Sequence, residues 1–352
     1  MNAQSSRSSS HPVSSNVAYQ RIATEEAYAP RELVDRYQAM LKDGPSDDLG
    51  FWGLWGYWGG ATSSASQLVA RITDLGEQRI RDMDASGIAK QVLSLTSPGV
   101  QVFDAPTGTG LATEFNDQLA ETIRRRPDRF AGLAAIAPQD PNNAARELER
   151  AVRKLGLKGA VINSHTRGEY LDDQKFWPIF EAAEALNAPI YLHPNTPPPA
   201  MVRPFYERRL EGSIFGFAVE TGLHMLRIII SGAFDRFPKL QIVVGHLGEA
   251  IPFWLYRIDY MHRTKFSIMP TKVEKRPSDY VRENFYITTS GMAWEPAIMF
   301  VHSLVGPDRL MYAMDYPYQY VPEEVSIQDN LPLSETDKRK FFQLNAQRVF
   351  SL

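Results

Sequence analysis

The chain contains no cysteine. That excludes disulfides, thiolate metal sites and a cysteine nucleophile, so any metal has to be held by histidine and carboxylate. No apolar run reaches the roughly eighteen residues that read as a membrane-spanning helix. Formal net charge is only −3 over 352 residues, from 38 Lys+Arg against 41 Asp+Glu, and there is no dense basic block. Composition therefore points to neither nucleic acid nor an anionic membrane as a partner. Residues 1–18, MNAQSSRSSSHPVSSNVA, are rich in serine and lack the apolar segment of a signal peptide. They are expected to form a disordered tail, with the cytoplasm as the location.

What the sequence has instead is a succession of short apolar runs. Strands are expected at RIATEE (21–26), KQVLSLT (90–96), AGLAAIA (131–137), KGAVIN (158–163), APIYLH (188–193), QIVVGH (241–246), NFYITTS (284–290) and LMYAMD (310–315). Helical patterns fall between them, among them Ser66–Ser86, Ala112–Arg126, Asn142–Leu155, Gln174–Leu186 and Ala218–Phe237. Strands alternating with helices imply a parallel sheet covered by crossovers. The pattern predicts an α/β fold: a distorted (β/α)8 TIM barrel with inserted loops, occupying 19–352 as one catalytic domain. In such a barrel the chemistry sits at the C-terminal strand ends. A doubly wound open sheet is the rival, but the glycine-rich phosphate loop it usually carries is missing.

Polar residues terminate several of these runs: Glu25 and Glu26 the first, His193 the fifth, His246 the sixth and Asp315 the eighth. Successive strand side chains point to opposite faces, so Glu25 and Glu26 cannot share one environment. Carboxylates and imidazoles gathered at one end of a barrel suit Zn²⁺, Mn²⁺ or Fe²⁺ with open coordination positions. His246 and Glu249 are three residues apart, a spacing that would place both on the first turn of the following helix, with the glutamate orienting the imidazole.

Several further stretches add to these residues: RIATEEA, LTSPGVQ, PDRFAG, APQDP, NSHT, IFGFAVETG, VGHLGEAIPFWLYRIDYMH, SGMAWEPA and MYAMDYPYQYV. Together and in this order they resemble the amidohydrolase-2 branch of the amidohydrolase superfamily. Within it they resemble the non-oxidative aromatic acid decarboxylases, chiefly the 5-carboxyvanillate decarboxylases and more distantly the γ-resorcylate decarboxylases. The resemblance spans Arg21 to Leu352. It implies one divalent metal per subunit, Mn²⁺ with Zn²⁺ as the alternative, held by Glu25, His193 and Asp315. Glu26 is then a structural partner, hydrogen-bonded near the rim. Ala27 stands where many superfamily members carry a histidine, which implies a three-ligand site and not a binuclear one.

The same resemblance implies roles for the remaining candidates. Asp315 would protonate the ring carbon that bears the carboxylate, assisted by His246 and Glu249. Arg257 would bind a carboxylate or ring substituent; its family counterpart reaches in from a neighbouring subunit, which would make a homodimer or homotetramer functional. Phe217, Tyr318 and Thr96 are expected as pocket walls for a planar ring. The segment Phe51–Ser66, with Trp52, Trp55 and Trp58 interleaved with glycines, is expected to be a pliant loop serving as substrate-side wall, lid or subunit contact. Here the chain departs from the 5-carboxyvanillate decarboxylases. GATSSASQ (60–67) lacks the arginine they place there against substrate, and Trp58 stands where they have tyrosine. The implied activity is metal-dependent decarboxylation of an ortho-hydroxy aromatic acid. Metal-dependent hydrolysis of an ester, amide or lactone on the same barrel is the alternative.

Overall fold

The structure is a computed structural model that describes residues 17–42, 48–58, 63–264 and 273–352. Its strands are β1 (Ile22–Tyr28), β2 (Lys90–Leu95), β3 (Phe130–Gly132), β4 (Ala134–Ala135), β5 (Ala160–Asn163), β6 (Ile190–His193), β7 (Ile242–Val244), β8 (Phe285–Thr288) and β9 (Leu310–Met311). Every pairing between them is parallel. The third expected run is broken at Leu133 into β3 and β4. Across the break, Leu133 N–H still donates to Leu93 O at 2.8 Å and Ala134 N–H to Gly159 O at 2.8 Å. The ends meet as well, with Thr24 N–H on Tyr312 O at 3.2 Å and Ala27 N–H on Tyr316 O at 2.7 Å. The sheet thus closes on itself as a (β/α)8 barrel. Strands buried on both faces read as continuous apolar runs, which is why the sequence pattern located them.

Helices cover the outside, and local signals set their ends. Asp140 accepts from Asn143 N–H and caps the helix Pro141–Arg150, whose first position is proline. Of the expected tail, only Val17 and Ala18 lie among the described residues, and Val17 packs against the core. The tryptophan-rich segment departs from expectation. It forms a helix, Leu49–Trp58, despite three glycines. Burial overrides the helix-breaking preference: Phe51 and Trp55 are buried against Tyr37, with ring centroids 5.3 and 4.6 Å away, and Trp55 Nε1 donates to Ser97 O at 3.0 Å. No helix among the described residues is long and apolar enough to cross a membrane.

Candidate metal centre and pocket

Glu25 and Glu26 lie inside β1 and not at its end, because the strand continues to Tyr28. The register with β2 slips between Ala23 and Glu26, a bulge of the kind that re-aims side chains beside active sites. Glu25 is buried and accepts hydrogen bonds from the hydroxyls of Tyr191 and Ser290, and from Thr288 Oγ1 at 3.2 Å. These three hydroxyls were not singled out from the sequence. Tyr191 carried one usable signal, since it lies two residues before His193 and so on the same strand face.

Two imidazoles and a second carboxylate converge on Glu25. His193 Nε2 is 3.4 Å and His246 Nε2 3.6 Å from Glu25 Oε1, and His246 Nε2 is 3.9 Å from Asp315 Oδ2. Ligand atoms of Glu25, His246 and Asp315 all lie within 4.8 Å of one another, an arrangement able to hold a metal ion. The two histidines differ in what fixes them. His193 Nδ1 is 2.9 Å from Pro194 O, so Nδ1 is the donor there and Nε2 is turned toward Glu25. His246 Nδ1 is 2.7 Å from the buried carboxylate of Glu249, a partner that favours the imidazolium. Glu25 Oε1 is buried without a hydrogen-bond partner. That orphaned acceptor faces Nε2 of both histidines across a gap lined by imidazole and carboxylate, the donor types that hold a metal ion. The donor set fits a divalent ion.

Charge sets the protonation of the group. Burial works to raise the Glu25 carboxyl, but His246, His193 and the hydroxyls of Ser290 and Tyr191 hold it below the ordinary glutamate range. Burial raises Asp315 above the usual aspartate range, with His246 opposing. For His246, burial acts against the proton, yet Glu249, Glu25 and Asp315 carry it well above the usual imidazole range.

Irregular backbone presents these side chains. His246 and Glu249 do not sit on an ordinary helical turn. From His246 to Ala250 every φ is positive, 47°, 58°, 79°, 54° and 61° in order, so a left-handed turn folds the glutamate back onto the imidazole. Asp315 lies beyond the end of β9 at Met311, with φ 74°. Glu26 is fully buried and not near the rim; it accepts from Met314 N–H and Tyr316 N–H, and burial pushes its carboxyl up to about 8.

The cluster opens into a cavity of about 1540 Å³. Phe217 and Tyr318 line it, as do Trp52, Leu54 and Tyr57 of the helix Leu49–Trp58. Thr96 does not line the cavity. It is buried behind the wall, its Oγ1 2.5 Å from the Tyr318 hydroxyl. The Trp58 side chain lies outside the described residues. Arg257 is exposed on the helix Ile251–Arg263 and does not border the cavity of its own subunit; among the described residues it forms no ion pair. Asp259, two residues on, accepts from Ser278. Arg209, which sequence reasoning passed over, does border the cavity, with its guanidinium 4.8 Å from the Tyr206 ring centroid. His165 serves its loop, pairing with Thr196 O and Gly168 N–H.

The amidohydrolase family model matches residues 62–352. A γ-resorcylate decarboxylase from Polaromonas sp. (strain JS666) is 37% identical over 295 residues, covering 81% of this chain and 90% of that protein. Among solved structures, 5-carboxyvanillate decarboxylase from Novosphingobium aromaticivorans, with bound manganese and 3-methoxy-4-hydroxy-5-nitrobenzoic acid, superposes with a TM-score of 0.92. It is 50% identical, over 95% of this chain and 98% of that one. A dihydroxybenzoic acid decarboxylase from Polaromonas sp. JS666, with bound manganese and the inhibitor 2-nitroresorcinol, gives a TM-score of 0.83. It is 34% identical, over 95% and 97% of the two chains.

Proposed function

Because the chain belongs to the amidohydrolase family, we propose that it is a metal-dependent carboxy-lyase. It would remove CO2 non-oxidatively from an ortho-hydroxy aromatic acid, 5-carboxyvanillate or a related phenolic acid. The observation that carries this reading is the unequal pair of imidazoles around Glu25 Oε1. His193, held through a neutral carbonyl, joins Glu25 and Asp315 as a ligand. His246, held through a buried carboxylate, keeps a proton for the chemistry. We assign Mn²⁺, the ion in the similar structures; Zn²⁺ suits the same donors.

The chemistry a bound ion supplies is electrophilic: it acidifies a phenol and fixes the neighbouring carboxylate. The chain does the rest. Phe217 and Tyr318 hold the ring flat, with Thr96 bracing the tyrosine hydroxyl. Asp315 delivers a proton to the ring carbon that carries the carboxylate, and His246 with Glu249 resupplies it. The C–C bond to the carboxylate then breaks, its electron pair restores the aromatic ring and CO2 leaves. One proton is consumed per turnover and returns from solvent. General acid catalysis of this kind contributes on the order of 10²–10⁴ in rate. The similar proteins reported above are decarboxylases, which weighs against the hydrolytic alternative.

We also assign the protein to a homodimer or homotetramer in the cytoplasm. Phe253, Trp254, Tyr256 and Tyr260 on the helix Ile251–Arg263 are 69%, 50%, 86% and 58% exposed, and Trp294 is 64% exposed. This much exposed aromatic surface supports a face covered by a second chain. Arg257 lies on that face, and we assign it to the partner's pocket.

CO2 release by Mn²⁺-loaded protein should be measured on a panel of ortho-hydroxy aromatic acids that includes 5-carboxyvanillate and 2,6-dihydroxybenzoate. Release from one member, lost in an Asp315→Asn protein that still melts cooperatively, supports the reading. Silence across the panel from folded, metal-loaded protein overturns it and turns attention to hydrolysis.

A further inference from the structure

Glu26 is fully buried and does not border the cavity, so it cannot touch substrate. Its two oxygens instead reach the two backbone N–H groups on either side of Asp315. Oε1 accepts from Met314 N–H at 3.0 Å and Oε2 from Tyr316 N–H at 3.3 Å. Gln91 Nε2 donates to Oε2 at 3.4 Å, and Gln91 Oε1 accepts from Arg79 Nη1 at 3.2 Å. Arg79 is itself buried, tied to Ala27 O at 2.7 Å and Asp74 O at 3.0 Å, with its guanidinium 4.6 Å from the Tyr316 ring centroid. The Tyr316 hydroxyl donates to Asp82 at 2.8 Å. Both neighbours of Asp315 are therefore anchored from β1 and its surroundings, while Asp315 adopts a φ of 74°, a region that most residues other than glycine, asparagine and aspartate avoid.

We propose that Glu26 is the positioning residue for Asp315, a two-oxygen clamp on the flanking amides that holds this strained backbone and aims the Asp315 carboxylate at the cluster. The chemical reason for a glutamate here is the count of acceptors. A glutamate turns an oxygen toward each of the two diverging N–H groups, whereas an amide would turn its NH2 toward one of them. Glu25 and Glu26 then act on one centre from adjacent positions, the first directly and the second through the backbone. What Asp315 does there rests on the metal-dependent reading above; the clamp itself does not.

Glu26→Gln is the test, because it keeps the shape and turns one acceptor into a donor facing an N–H. Its crystal structure is expected to show Asp315 leaving the positive-φ region and its carboxylate moving away from His246. Mn²⁺ titration of the apoprotein is expected to show about ten- to a hundredfold weaker binding than wild type, the usual cost of losing an outer partner of a metal site. kcat should fall with little change in KM, and thermal melting should remain cooperative. If Glu26→Gln does not fold, Glu26→Asp, which retracts the carboxylate, is read in the same way. A folded variant with Asp315 unmoved overturns the proposal, whatever the metal does. Wild-type protein that binds no Mn²⁺, beside a variant whose Asp315 has moved, overturns the metal-dependent reading and leaves the clamp standing.

Discussion

Replacing Glu249 by glutamine puts the proton-handling assignment at most risk. The side chain is 1% exposed and bonded to His246 Nδ1 at 2.7 Å, so the exchange removes a charge and almost no volume. A hydrogen bond to a buried charged group is worth about 1.5–3 kcal/mol. At about 1.4 kcal/mol per factor of ten, that converts into a kcat lower by about ten- to a hundredfold if the bond supports the imidazolium in the rate-limiting step. The pH dependence gives a second, sharper readout. In the wild type, burial acts against the His246 proton but the surrounding carboxylates win and hold it well above the ordinary range. Without the Glu249 charge the balance moves toward burial and the proton is lost at lower pH. The basic limb of the kcat profile should therefore shift toward acid. CO2 release measured across the neutral and alkaline range, at matched metal content and with melting curves as a control, reports both. A kcat within twofold of wild type refutes the assignment. So does a loss of kcat with the basic limb unmoved, which would make Glu249 a brace for its turn.

Two further outcomes follow from other parts of the molecule. If Arg257 serves the partner's pocket, Arg257→Ala and Asp315→Asn proteins, each inactive alone, should recover about a quarter of wild-type activity when unfolded and refolded together. Random pairing makes half the dimers mixed, and each mixed dimer has one intact site; absence of recovery places Arg257 elsewhere. Glu220 is fully buried, and burial pushes its carboxyl up to about 8 despite hydrogen bonds to Ser164, Tyr170 and Thr221. An unfolded glutamate titrates near about 4.3, so between those values the folded chain keeps a proton the unfolded chain has lost. Its contribution is fully present below the unfolded value and lost as pH rises through the folded one, by up to roughly 1.4 kcal/mol per pH unit. Thermal melts of Glu220→Gln should decline less between pH 5.5 and 8.5 than those of the wild type, and an unchanged slope would remove Glu220 from this role.

The barrel and the polar residues in and after its strands could be read from residue order because both rest on short-range pattern. A parallel strand buried on both faces must be apolar along its length, so a charged or imidazole side chain at its edge stands out, as His193 does at the end of β6. Asp315 and His246 stood out in the same way, although the strands before them stop earlier than the apolar runs suggested. What the pattern could not contain was anything held by contacts across the barrel. The bulge in β1 that separates Glu25 from Glu26 arises from pairing with β2. The Tyr191, Thr288 and Ser290 hydroxyls on Glu25 come from β6, β8 and the turn after β8, and the grip of Glu26 on Met314 and Tyr316 spans 288 and 290 residues of chain. The helix over Leu49–Trp58 forms because Phe51 and Trp55 find Tyr37, a choice that packing made against local propensity. The sequence by itself determined that histidine and carboxylate side chains accompany the apolar strands of a barrel. The left-handed turns at His246 and Asp315 are affordable only where surrounding contacts overdetermine the backbone, so tertiary structure alone decided how those residues face one another.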